Sequence, residues 1–180
     1  MKESAFRLSK TKFVTKTVLL VAAMFGAATA LADDETDAIG RGAYPTAVVN
    51  LKTKQCLTST GGELSVVIQD HCSGAPDRMW QTELIGPAEN GWYYFRLRNA
   101  QTGLCADLQT YSDADGLIAQ RQCSGEPSQQ WYGVPMGNQY QYARVINRAT
   151  KKCLDGQVGG PNVTQWTCGS RDNQFWLINF

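Results

Sequence analysis

Cys153-Leu154-Asp155, Gln165-Trp166-Thr167-Cys168 and Asn173-Gln174-Phe175-Trp176 follow one another within residues 153–176. The same succession occurs twice upstream in altered form. Asn50-Leu51-Lys52-Thr53-Lys54-Gln55-Cys56, Asn99-Ala100-Gln101-Thr102-Gly103-Leu104-Cys105 and Asn147-Arg148-Ala149-Thr150-Lys151-Lys152-Cys153 all read N-x-x-T-x-x-C, at offsets of 49 and 48 residues. Each copy reaches a second cysteine 16, 18 or 15 residues later, and each ends in a tryptophan: Trp80, Trp131, Trp176. Self-similarity at a fixed period sets the architecture before any local reading does.

The local signals are strand and turn. Ala47-Val48-Val49, Phe95-Arg96-Leu97 and Ala143-Arg144-Val145-Ile146 lead into the three Asn residues as short strands, and Val66-Val67-Ile68 and Leu117-Ile118-Ala119 precede second cysteines. Gly61-Gly62, Asn90-Gly91, Asp115-Gly116, Gly137-Asn138 and Gly159-Gly160-Pro161 punctuate them as turns. No stretch after the first 32 residues has a helical period. A copy of this length holds about four short strands, so the expectation is an all-β domain of about twelve strands: a β-trefoil of three repeats, near 44–87, 88–136 and 137–180. One unit cannot bury its own apolar face, so the copies need one another. The repeated Asn and Thr read as turn residues, and the three Trp as fillers of the shared centre.

Six cysteines allow 15 connectivities. The repeat selects Cys56–Cys72, Cys105–Cys123 and Cys153–Cys168, one intrarepeat disulfide each. Each link closes a loop worth about 3 kcal/mol in the chain-entropy model. Metal ligation is not expected, since C-x-x-C spacing and clustered histidines are missing. Residues 1–32 read as a signal peptide: a basic start (Lys2, Arg7, Lys10, Lys12, Lys16), an apolar run from Val18, and Ala30-Leu31-Ala32 as cleavage pattern. The expected location is secreted or periplasmic, where disulfides persist. Residues 33–43 read as a flexible acidic leader. Without residues 1–32 the chain keeps 12 of its 17 Lys/Arg and 15 of its 16 Asp/Glu, net −3. That balance disfavours a nucleic-acid partner, and no membrane insertion of the mature chain is expected.

Gln129-Gln130-Trp131 and Gln174-Phe175-Trp176 are Q-x-W motifs, and Cys105-Ala106-Asp107 and Cys153-Leu154-Asp155 are C-x-D elements. In this combination the chain resembles the ricin B-type lectin family over about residues 44–180. The resemblance implies a β-trefoil that binds glycans, often galactose-type, without metal or cofactor, through as many as three pockets. Each family pocket uses an Asp, an aromatic, an Asn and the Gln of Q-x-W.

The three copies can be set against one another. Two residues after the first cysteine stand Thr58, Asp107 and Asp155; two before the second stand Asp70, Arg121 and Trp166. At the last motif stand Asp77-Arg78, Ser128-Gln129 and Asn173-Gln174. Only the third copy has the full set, so Asp155, Trp166, Asn173 and Gln174 are the expected sugar-binding residues. A carboxylate at 155 can accept from two vicinal hydroxyls with charge-assisted strength. Asn173 offers donor and acceptor, Trp166 a ring for the C–H face of a sugar, and Gln174 support for Asp155 from behind. Trp166 reads as solvent-facing because its sister positions hold charges, which a core position would not accept. Asp107, Arg121 and Gln129 make a weaker second site, either weakened or directed to an acidic sugar. The first copy reads as structural.

His71 is isolated and belongs to no triad. Asp113-Ala114-Asp115-Gly116 lacks the downstream Glu of a calcium loop and reads as a hairpin turn. Trp92-Tyr93-Tyr94-Phe95 should place alternate residues inward, with the rest open to packing or a partner. Asn162-Val163-Thr164 is a formal glycosylation sequon. The leading expectation is a glycan-binding lectin module with no enzymatic activity, since no acid–base pair stands at a recognisable spacing. The alternatives are the cell-attachment subunit of a multi-subunit toxin, whose partner would be an enzyme or toxin subunit, and a non-sugar-binding trefoil, inhibitory or structural.

Overall fold

The structure is a computed structural model that describes residues 44–89, 91–110 and 115–179. The signal peptide and leader expected at 1–43, and part of the Asp113–Gly116 turn, lie outside the described residues. The described residues form thirteen strands: β1 (Thr46–Ala47), β2 (Val49–Asn50), β3 (Cys56–Ser59), β4 (Val67–Asp70), β5 (Met79–Pro87), β6 (Tyr93–Asn99), β7 (Cys105–Leu108), β8 (Gly116–Arg121), β9 (Trp131–Met136), β10 (Gln139–Asn147), β11 (Cys153–Gly156), β12 (Val163–Trp166) and β13 (Phe175–Leu177). The count exceeds the expected twelve because the first strand is interrupted at Val48, whose side chain is fully buried. Counting β1 and β2 as one, each repeat supplies four strands.

The pairing closes. β1 pairs with β5, β5 with β6, β6 with β9, β9 with β10, β10 with β13, and β13 with β2. That ring of six is a barrel with two strands from each repeat. The remaining strands form three hairpins, β3–β4, β7–β8 and β11–β12. They meet one another through the β8–β12 pairing and the isolated bridges Val66–Ala119 and Ile68–Asn162. A six-stranded barrel capped by a triangle of hairpins is the β-trefoil, and it leaves no barrel edge unpaired.

Symmetry reaches individual atoms. Trp80, Trp131 and Trp176 are fully buried. Their indole N–H groups donate to the carbonyls of Leu57, Ala106 and Leu154 at 2.8, 3.3 and 3.0 Å, in each case the residue after the repeat's first cysteine. Each ring thus ties the barrel to its own hairpin while its polar edge stays satisfied. The disulfides pair as the repeat requires, each with Cα atoms 5.0 Å apart.

The repeated Asn does more than form a turn. Oδ1 of Asn50, Asn99 and Asn147 accepts from the backbone N–H groups two and three residues on. The Nδ2 group reaches the preceding unit around the ring, donating to the carbonyls of Asn173, Asp77 and Ser128 at 2.9, 2.8 and 2.7 Å. Those carbonyls belong to short 3-10 turns, Asp172–Gln174, Pro76–Arg78 and Pro127–Gln129, which precede the Trp of each copy. The Asn is therefore an inter-repeat clamp. The repeated Thr donates through Oγ1 to the buried amide oxygens of Gln69, Gln120 and Gln165 at 2.7, 2.9 and 2.7 Å.

The strict alternation expected for the aromatic run fails at Tyr93 and Tyr94. Tyr94 and Phe95 are both buried, whereas Trp92 and Tyr93 are 45% and 57% exposed. Phe95 enters the barrel. Tyr94 is on the outside but covered, edge-on to Tyr132 at 5.8 Å and beneath the Arg148 guanidinium at 4.5 Å. Among the described residues no helix is long and apolar enough to cross a membrane.

Candidate functional site

The third hairpin builds a depression from sequence upward. In the β11–β12 register Cys153 stands opposite Trp166 and Asp155 opposite Thr164. With the two-residue period of a strand, Asp155, Thr164 and Trp166 share one face, while Leu154 and Val163 on the other enter the core. The hairpin loop and the 3-10 turn at Asp172–Gln174 supply the remaining walls. Together Asp155, Gln157, Val158, Gly159, Gly160, Thr164, Trp166, Arg171 and Asn173 enclose a depression of about 440 Å³. Trp166 is 42% exposed, whereas Asp155 lies at the base with 6%.

The carboxylate is held by two amides. Asn173 donates to Asp155 Oδ1 at 2.6 Å, and Gln174 donates to Oδ2 at 2.9 Å. Asn173 Nδ2 also donates to the Gly156 carbonyl at 3.2 Å. Both its N–H groups are therefore turned inward, leaving the amide oxygen as its acceptor toward the depression. Gln174 is itself buried, donating to the Thr167 carbonyl at 3.0 Å and accepting from the Gly169 N–H at 2.7 Å. It does not line the depression and acts through Asp155. Burial pushes the Asp155 carboxyl above its ordinary range; the Gln174 and Asn173 hydrogen bonds and the Arg171 charge pull it back down, and Asp115 adds to the rise.

The first repeat contributes to this wall, which the sequence reading missed. Gln69 Nε2 donates to the carbonyls of Gln157 and Gly160 at 2.6 and 3.1 Å, pinning the loop beside Trp166. A Cβ at Gly156 would meet Gln69 Oε1 at 2.6 Å and Asn50 Nδ2 at 2.8 Å, so the strand needs glycine there. The legible signal was the recurrence of Gln69, Gln120 and Gln165, each one residue before the compared position.

The corresponding positions of the other repeats are arranged differently. In the first repeat Thr58 bonds its Oγ1 to the Cys56 carbonyl at 2.9 Å. Arg78, standing where Gln174 stands, reaches Asp70, standing where Trp166 stands, at 2.6 Å. The Arg78 hydrogen bond, with those of His71, lowers the Asp70 carboxyl to about 2. His71 is exposed and touches only this carboxylate among its described side-chain partners. In the second repeat Asp107 has no solvent exposure. It accepts from Gln129 Nε2 at 3.0 Å and from the Leu108 N–H at 2.6 Å, and Arg121 Nε stands 3.7 Å away. Asp107, Arg121 and Gln129 are thus together, but the guanidinium sits against the carboxylate. Among the described residues no group of three His, Cys, Asp or Glu could hold a metal ion.

A second apolar feature is separate. Leu84, Gly91, Trp92, Tyr93 and Gly133 line a groove of about 370 Å³.

The chain belongs to the ricin-type beta-trefoil lectin domain-like family, whose model matches residues 38–119 and again 84–160. Two overlapping matches are what an internally repeated chain gives. Comparison with curated proteins returned no match. Among solved structures it is similar to the designed threefold-symmetric protein ThreeFoil, at 27% identity and a TM-score of 0.61, covering 74% of this chain and 94% of that one. It is also similar to an exo-β-1,3-galactanase from Clostridium thermocellum, at 21% identity and a TM-score of 0.65, covering 75% of this chain. The hemolytic lectin CEL-III matches at 24% identity and a TM-score of 0.61, covering 78% of this chain. This chain spans 30% of the galactanase chain and 31% of the CEL-III chain.

Proposed function

We propose that the protein is a secreted or periplasmic carbohydrate-binding lectin domain whose working pocket is the depression of the third repeat, and that its ligand is a galactose-type sugar. The observation that carries this is the placement of Trp166. Its ring is half open to solvent and shares one strand face with a buried carboxylate already held by two amides. An exposed indole beside a preorganised acceptor is wasted on a scaffold, because a scaffold fills that position with charge, as Asp70 and Arg121 do.

The chemistry follows from the groups. Each Asp155 oxygen accepts from one amide and keeps acceptor capacity for a second donor, so the carboxylate can take two adjacent sugar hydroxyls. Asn173 Oδ1 accepts from a third donor at the same edge. The axial 4-hydroxyl of galactose leaves one ring face largely C–H, and Trp166 covers it. Gln174 fixes the carboxylate's orientation, and Gln69 fixes the loop opposite. The domain binds and does no bond chemistry in this account: Asp155 is held by two amides as a hydrogen-bond acceptor.

Titration of the protein with lactose by calorimetry tests the reading. Binding that Trp166→Ala removes supports it; binding unchanged in that variant places the sugar elsewhere. A second reading, the cell-attachment subunit of a multi-subunit toxin, keeps the same pocket and adds a protein partner. The exposed Trp92 and Tyr93 at their groove favour it, and a defined partner that co-purifies with the wild type but not with Trp92→Ser would establish it.

A further inference from the structure

The proposed sugar pocket does not end at Asn173. A second depression of about 380 Å³ adjoins it, lined by Lys52, Val158, Ser170, Arg171, Asp172 and Asn173. Val158, Arg171 and Asn173 line both, so a substituent on a ligand seated over Trp166 has the second depression beside it. Lys52 arrives from the first repeat. Asn50 Nδ2 bonds the Asn173 carbonyl at 2.9 Å and the Leu51 N–H bonds the Phe175 carbonyl at 2.8 Å, which seats the turn after β2 against the 3-10 turn of the third repeat.

The lining chemistry is selective. Its one apolar side chain is Val158, and it has no aromatic, so it offers a neutral second ring little to stack on. It does present two exposed cations, Lys52 and Arg171, and one carboxylate, Asp172. The cations are not part of the scaffold. Arg171 precedes the 3-10 turn, where the other copies have Ala75 and Glu126. Lys52 holds the third position of its turn, where the others have Gln101 and Ala149. Following the Asn clamps, the two remaining junctions combine Ala75 with Gln101 and Glu126 with Ala149. Two cations meet only at the junction beside the repeat that kept Asp155, Trp166 and Asn173.

We infer that the depression between Lys52 and Arg171 is a subsite for an anionic substituent, a carboxylate or a sulfate, carried by the galactoside bound at Trp166. The inference rests on the proposed pocket. Arg171 offers a planar pair of N–H donors and Lys52 a point charge from the facing turn, a combination suited to an oxyanion. Asp172 limits the net charge and keeps the subsite from gathering anions indiscriminately.

The test is calorimetric titration of the wild type, Lys52→Ala and the double variant Lys52→Ala/Arg171→Gln. The probes are lactose and its 3′- and 6′-sialyl and sulfo forms, each at two salt concentrations. The wild type should bind at least one acidic form about fivefold tighter than lactose at low salt, the scale of one or two exposed ion pairs. That preference should shrink at high salt. Lys52→Ala should bind lactose as the wild type does while losing most of the preference, and the double variant should lose all of it. Sulfo and sialyl forms separate the two sources of negative charge. Lactose bound with no preference for any acidic form, or a preference that survives in the double variant, overturns the subsite and leaves the pocket standing. Failure of every galactoside removes the pocket itself, and the subsite with it.

Discussion

Trp166→Ala separates binding from folding. The indole is 42% exposed in the free protein. A tryptophan side chain presents roughly 150–250 Å², so on the order of 100 Å² remains open to a ligand. A sugar ring laid on it removes about half of that from water, and a similar area of its own C–H face. At about 25 cal/mol per Å², this amounts to about 2.5 kcal/mol, and its loss weakens binding about seventyfold. The fold should barely register the change. Position 166 faces outward, and its sisters carry Asp70 and Arg121, so a surface-type effect within about 0.5 kcal/mol is expected. Calorimetric titration with lactose and thermal unfolding of both proteins are the paired assays. Unchanged affinity in the variant would refute the placement of the sugar. A large fall in melting temperature would instead refute the claim that Trp166 is free of structural duty.

Other perturbations read the supporting shell. Asp155→Asn replaces one carboxylate oxygen with an NH2 that faces an amide donor, and removes the charge and one of the two acceptors for sugar hydroxyls; lactose titration should show about a tenfold or greater loss, the scale of a charge-assisted hydrogen bond. Gln69→Ala leaves the Gln157 and Gly160 carbonyls without their donor, which should cost about 1–3 kcal/mol in urea unfolding and loosen the loop at 157–160 in amide exchange. Gly156→Ala sets a Cβ against Asn50 and Gln69 and should destabilise by about 1–3 kcal/mol, an effect that a paired Gln69→Ala should partly relieve.

The pH dependence has two opposite arms. The Asp155 carboxyl sits above its ordinary range through burial, so the folded state takes up this proton at higher pH than the unfolded chain does. Its ionisation costs stability as pH rises through that raised value, and the proposed binding is lost as pH falls through it. Asp70, lowered to about 2 by Arg78 and His71, contributes stability that is present above its unfolded value near 4 and disappears as pH falls toward 2. Lactose affinity should therefore fade on acidification before the Asp70 contribution does. Calorimetric titration across pH against acid unfolding of Asp70→Asn checks the order.

Much of this architecture was readable because it is written three times. Asn, Thr, Cys and Trp recur at one spacing, and the physical duties found for them recur too: clamp, amide partner, disulfide, central ring. Comparing Thr58, Asp107 and Asp155, or Asp70, Arg121 and Trp166, isolated the third hairpin because burial tolerates no charge without a partner. Contributions across repeat boundaries were harder to read. Asn50 reaching Asn173, Gln69 reaching Gln157, and Lys52 reaching the junction depend on which unit neighbours which, and no period in the chain states that. The burial of Tyr94 was hidden likewise, because its cover, Tyr132 and Arg148, comes from distant segments. Nor could spacing show that Asn173 spends both its N–H groups inward, which leaves it an acceptor alone.

A crystal structure of the protein with lactose tests the central claim most directly. The account predicts a galactosyl ring lying over Trp166, two of its hydroxyls on Asp155 and one at Asn173 Oδ1. A ring found at Asp107 and Arg121 or in the Trp92–Tyr93 groove, with the third-repeat depression holding only solvent, would contradict it.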